Sequence, residues 1–211
     1  MLKHNGKRIA MFFLLGALTI SAAVADEYLL FTESCGTFNE YTSRLNEAEL
    51  KIKYDTSLEN IYILQYGKLP LEGMDFFLSG ENLADLRSAC EKYFEWEELA
   101  RTKGVELKKQ LPIKTTVLAG WLNYSGDTLG GAGELCFGFI SQSPTNHQFV
   151  IYSTKVKDII SSAYSTASRE LEPLYFDKED VQQLYNDISE ESLKAAVEKV
   201  KDQQEIENMF N

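Results

Sequence analysis

Around residue 79 the spacing of apolar side chains switches from the period of a strand to that of a helix, and that switch sets an α+β frame for the whole chain. Met74–Leu78 (MDFFL) is a short apolar run. It leads directly into Ser79-Gly80-Glu81-Asn82, a cluster of helix-capping residues. Beyond it Leu83, Leu86, Cys90, Tyr93 and Ala100 recur at steps of three, four or seven. Glu91, Lys92, Glu95 and Glu98 fall on other faces. Arg101 and Lys103 suit a last turn, and Gly104 provides the stop, because glycine takes the left-handed cap without strain. The pattern predicts an amphipathic helix over 81–103 lying on a sheet. Phe94 and Trp96 widen its apolar stripe and are expected to pack under neighbouring loops of the same domain.

Strand patterns flank this helix. Ala48–Asp55 alternates, with Leu50, Ile52 and Tyr54 on one face and Lys51, Lys53 and Asp55 on the other. Asn60–Tyr66 follows across the polar break Asp55–Glu59, which predicts a hairpin. Beyond Pro112, the segments Lys114–Tyr124, Glu134–Ser141 and Gln148–Thr154 are rich in β-branched and aromatic residues and read as an antiparallel meander. Lys155–Arg169 reads either as a loop crossing the sheet or as a short strand around Val156–Ile160. Glu172–Phe176 resembles a short edge strand that stops at Asp177, an N-cap with Asp180 at N3. Val181, Leu184, Tyr185 and Ile188 then complete a helical stripe, and Ser189 caps a second, largely polar helix.

The connection between the first two meander strands lies in SGDTLGGAGELCFGF, Ser125–Phe139. A phosphate loop places its glycines between a strand and a helix, with a lysine or a G-x-G-x-x-G pattern; here both flanks are strands and no lysine is in reach. A calcium-binding nonapeptide repeat is excluded too, since it needs G-G-x-G-x-D in repetition and the glycine pattern occurs once. The expectation is a long, flexible hairpin connection with positive φ at Gly130, Gly131 and Gly133.

The first 25 residues do not read as part of a fold. Lys3, Lys7 and Arg8 precede an apolar core over Ile9–Ile20, and Ala23-Val24-Ala25 is a small-x-small cleavage signature before Asp26. This is the layout of a secretory signal peptide, cleaved after Ala25, which leaves no stable transmembrane segment and predicts a periplasmic or secreted protein. The organisation that follows is a signal peptide over 1–25, one α+β domain over 26–188 and a C-terminal polar helix over 189–211. The fold class is α+β: an antiparallel sheet or two-sheet sandwich with one long helical insertion and C-terminal helices. An outer-membrane barrel is not expected, because it needs at least eight long alternating strands and the helices leave too little chain.

Composition narrows the function classes. The full chain carries a formal charge of −11, and removal of the basic signal leaves 18 basic against 32 acidic side chains, a charge of −14. Phosphate backbones and anionic lipid surfaces repel such a chain, so nucleic acid is not expected as a partner. Cys35, Cys90 and Cys136 show no C-x-x-C spacing, which removes support for zinc knuckles and redox pairs. Three pairings remain open, with buried thiols preferred at Cys90 and Cys136. After processing, His147 is the sole histidine, and no G-x-S-x-G elbow accompanies it. Neither metal ligands nor a cofactor motif emerges; the acid-rich stretch Glu91–Glu98 lacks the glycine turn of an EF-hand.

The segments KYFEWEELARTKGVELKKQLP and FISQSPTNHQFVIYSTKV resemble a family of uncharacterised secreted spirochaete proteins, a likeness that covers roughly 80–185. The resemblance implies export and carries no activity and no functional residue. The favoured reading is an exported, non-enzymatic module that binds a protein or small ligand. Candidate contacts are Trp121, Tyr124 and His147 near strand ends, with Asp127 at the glycine-rich tip. A carboxylate-based hydrolase of cell-envelope sugar, which needs two acids facing one cleft, is the alternative. A third is a structural component of an envelope assembly, docking through the C-terminal helix.

Overall fold

Alternation along the strands decides the architecture. The computed structural model describes residues 27–39, 43–58, 61–67, 73–161 and 165–209; the predicted signal segment lies outside them. The strands are β1 (Glu27–Asn39), β2 (Arg44–Asp55), β3 (Tyr62–Tyr66), β4 (Met74–Leu78), β5 (Leu107–Leu122), β6 (Thr128–Ser143), β7 (Asn146–Ser153), β8 (Val156–Lys157), β9 (Ser168–Arg169) and β10 (Leu174–Phe176). The helices are α1 (Gly80–Lys103), α2 (Lys178–Asp187) and α3 (Glu190–Met209). Eight strands close into an antiparallel barrel in the order β1-β10-β7-β6-β5-β4-β3-β2, while β8 and β9 pair separately.

Register puts one set of side chains on a common face. Glu33 lies opposite Leu50, Ile52 opposite Leu64, Leu64 opposite Phe76, Phe76 opposite Ala119 and Phe149 opposite Phe176. The apolar members of this face join Leu83, Leu86, Cys90 and Tyr93 of α1, and Val181 and Leu184 of α2, in a single core. Tyr93 anchors α1 there, its ring 5.8 Å from Phe139 and 5.7 Å from Phe149, with its hydroxyl donating to the His147 carbonyl at 3.3 Å. Fully burying each such side chain contributes about 1.5–3 kcal/mol. Ser79 and Asn82 form a capping box at the start of α1, and Gly104 (φ 63°) ends it in the left-handed region.

Most expected elements are present and several run longer. The Ala48–Asp55 pattern belongs to β2, paired with β3 as expected, and the meander is β5-β6-β7. Phe94 packs edge-on to Tyr185, and Trp96 edge-on to Phe139, within the domain.

Three expectations change. Glu172–Phe176 was expected at an edge, yet β10 is flanked by both β1 and β7; its three residues are the link that closes the barrel. Eight strands therefore do fit beside the helices, because closure is achieved with strands as short as β10. The apolar face is the one that holds α1 and α2, while Glu47, Glu49, Lys51 and Lys53 alternate onto the other. No helix among the described residues is long and apolar enough to cross a membrane.

The third change concerns the glycines. Strand β6 begins at Thr128, and of the glycines in this stretch only Gly126 (φ 84°) has a positive φ. Gly131 and Gly133 are ordinary strand residues crossed by the segment from Thr154 to Ser161. A β-carbon at Gly131 would collide with the Lys157 carbonyl oxygen, and one at Gly133 would lie 2.6 Å from Val156 Cγ2. These glycines serve close approach of one backbone to another rather than a turn.

Candidate functional site

The residues singled out by sequence are dispersed. Trp121 is buried on β5, facing Leu129 across the ladder. Tyr124, 96% exposed, stands at the β5–β6 tip. Asp127 shares that tip but is spent on the turn: its N–H donates to Asn123 Oδ1 at 2.9 Å and its Oδ2 accepts from Asn123 Nδ2 at 3.0 Å. His147 lies at the opposite end of β6, a 16-residue strand about 50 Å long at strand rise. It is buried, with Nε2 donating to the Pro144 carbonyl and Nδ1 3.1 Å from Ser141 Oγ. Tyr124 and Asp127 are thus neighbours, and His147 cannot join them.

All three cysteines are buried free thiols. Burial, with Asp180 and Glu49 nearby, pushes the Cys35 thiol up to about 12; burial likewise raises Cys90 and Cys136. Thiols held protonated are poor nucleophiles. Among the described residues no group of three or more His, Cys, Asp or Glu side chains is arranged to hold a metal ion.

Carboxyl groups gather in two places. A trough of about 510 Å³ is walled by Glu47, Glu49, Asp177 and Asp180 without a cation. In a chain with 32 acids this is an ordinary solvated face. The other place is Glu33, buried on β1 with Asp187 of α2 facing it. Among the described residues no N–H or hydroxyl donor reaches either Glu33 oxygen, and the Asp187 carboxylate is close enough to accept a hydrogen bond from the protonated Glu33 carboxyl. Burial, reinforced by Asp187 and Asp180, lifts the Glu33 pKa to about 8.

A different kind of cavity sits where α1, β3 and the α2–α3 joint meet. It measures about 720 Å³, within the range of small-molecule pockets. Leu83, Ala84, Ile188 and Leu193 supply apolar wall, and no side chain fills the space above Gly80. Tyr62, Arg87 and Lys194, three residues with side-chain donors, are also among its lining. Arg87 is held in place, stacked 4.2 Å from the Tyr185 ring centre with Nη1 donating to the Tyr185 carbonyl at 3.3 Å. Among the described residues neither Arg87 nor Lys194 forms an ion pair. Glu190 is the single acid on the rim. Burial, then Tyr54, raises the Tyr62 pKa and keeps its hydroxyl a donor.

Sequence reasoning missed this pocket. Its residues come from segments about a hundred positions apart, and Arg87 reads only as a polar neighbour of the helix stripe. No family model, curated protein or solved structure matches the chain.

Proposed function

We propose that this chain is an exported, non-enzymatic binding module whose helix-junction pocket holds a small amphiphile with an anionic head. One observation carries the reading: Arg87 and Lys194, which form no ion pair among the described residues, line a partly apolar cavity together with Tyr62 in a chain whose charge is −11. The overall field repels anions, so local cations there have a local purpose. Arg87, pre-oriented by Tyr185, supplies directional donors for a carboxylate, and Lys194 supplies charge from the exposed rim. Leu83, Ala84, Ile188 and Leu193 take the apolar tail. A hydrolase would need two acids facing an open cleft: Glu33, beside Asp187, is sealed at 1% exposure, and the alternative would have to use the trough acids Glu47, Glu49, Asp177 and Asp180.

Decanoate is the direct probe, measured by titration calorimetry against decyltrimethylammonium, which has the same tail and opposite charge. Decanoate is expected to bind and the cation not. Lys194→Glu should weaken decanoate by about tenfold, equivalent to about 1.4 kcal/mol, and Arg87→Gln by a similar factor. Equal binding of the two probes, or indifference to both substitutions, would refute the pocket. Export is tested separately, by sequencing the N-terminus of protein recovered outside the cytoplasm, which should begin at Asp26.

A further inference from the structure

Glu33 poses a problem that the fold leaves open. Its side chain is buried and no N–H or hydroxyl donor among the described residues reaches either oxygen, so the protonated carboxyl can donate to the Asp187 carboxylate whereas a charge there has no compensating donor. The titratable groups that face it are Asp187 and Asp180 from α2 and the Cys90 thiol from α1; none is a cation. Arg87, one turn from Cys90, is turned onto Tyr185 instead. Asp187 is the last residue of α2, so a charge on Glu33 meets both the Asp187 carboxylate and the negative end of the helix dipole. The next two residues, Ile188 and Ser189, are wall of the helix-junction pocket. Ile188 N–H is bonded to the Leu184 carbonyl, and Leu193 N–H to the Ser189 carbonyl, so the wall moves with the helix ends.

We infer that Glu33 is a proton-operated latch on the pocket: neutral, it lets the end of α2 seat on β1; ionised, it repels Asp187 and displaces the Ile188–Ser189 wall. As a control on ligand binding the inference rests on the pocket reading above, whereas the movement of α2 does not. The sign follows from the raised pKa. Folded Glu33 keeps its proton to about pH 8, against an ordinary value of 4.5, so seating of α2 is fully stabilised in acid and lost as pH rises through 8. Decanoate stays anionic throughout, so its affinity falls with the wall.

The test compares the full chain with Glu33→Gln and Asp187→Asn at pH 6 and pH 9, reading decanoate affinity by calorimetry and hydrogen exchange across residues 184–193, corrected for intrinsic exchange rate. In the unmodified chain decanoate should bind at least fivefold more weakly at pH 9, with matching loss of protection over 184–193. Glu33→Gln should remove both changes and Asp187→Asn should shrink them. Equal loss of protection in the unmodified chain and in Glu33→Gln would overturn the latch. Absence of decanoate binding at either pH would overturn the pocket alone, the exchange data then deciding whether Glu33 moves α2.

Discussion

The two halves of β6 are covered in opposite ways. From Leu135 to Phe139 the core-facing positions carry large side chains, with Phe137 stacked on Phe149 at 5.9 Å and Phe139 against Tyr93 and Trp96. At Gly130, Gly131 and Gly133 the strand is bare, and the segment 154–161 lies against it. In the first half apolar burial does the work and tolerates some repacking. In the second, main chain meets main chain, so every polar group must be satisfied. Asp158 meets that need, its Oδ1 accepting from Gly130 N–H at 3.1 Å and Ile160 N–H at 3.0 Å, while the Ile159 N–H donates to the Gly130 carbonyl at 2.7 Å. One strand thus shows that a missing side chain can be as specific as a large one.

The comparison breaks most directly at Gly131. Gly131→Val places a branched side chain where the Lys157 carbonyl sits, and a carbonyl fixed by the crossing chain has no rotamer with which to yield. The expected loss is about 4 kcal/mol or more, read as failure to fold or as a large drop in denaturant midpoint. A Gly131→Val protein with unchanged midpoint would mean that the crossing segment is not seated. Phe137→Ala, in the packed half, should cost about 3–4 kcal/mol through a cavity, with the native circular dichroism spectrum retained.

The smallest effect sharpens the contrast through pH. Burial opposes ionisation of Asp158, but hydrogen bonds from the Ser161 and Ser165 hydroxyls and from the Gly130 and Ser161 N–H groups outweigh it and hold the carboxyl well below its usual range. A depressed folded pKa stabilises above the ordinary value of 3.8 and fades as pH falls toward the folded value. Asp158→Asn turns an acceptor into a donor facing donors. The variant should lose about 2 kcal/mol at pH 7 and less at pH 3, in chemical denaturation at both. An equal loss at both pH values would remove the carboxylate from the account.

Legibility in the sequence followed locality. The long helix and its caps were readable because Ser79, Leu83, Leu86 and Gly104 interact within a few turns of chain. Likewise Leu50, Ile52 and Tyr54 declared their face by alternation alone. Strand β1 was not recognised: a bulge between Leu29 and Phe31 interrupts its alternation, and Glu33 occupies a core-facing position where a strand pattern expects an apolar residue. Of the sequence-selected contacts, Tyr124 and Asp127 share one tip, whereas burial claims Trp121 and His147. The pocket formed by Tyr62, Arg87 and Lys194 left no local signature, since each has an ordinary solvated reading in its own segment.

By itself the sequence determined the α+β class, the span of α1, the strand faces and the acidic character, because periodicity and charge act between near neighbours in the chain. Only the tertiary structure decided that the sheet closes through three residues of β10, that the glycines of β6 lie beneath a crossing backbone, and that Glu33 is buried beside Asp187. Those outcomes depend on which distant segments share space. Steric exclusion and desolvation, which set them, act on whatever is adjacent in three dimensions, whatever its position along the chain.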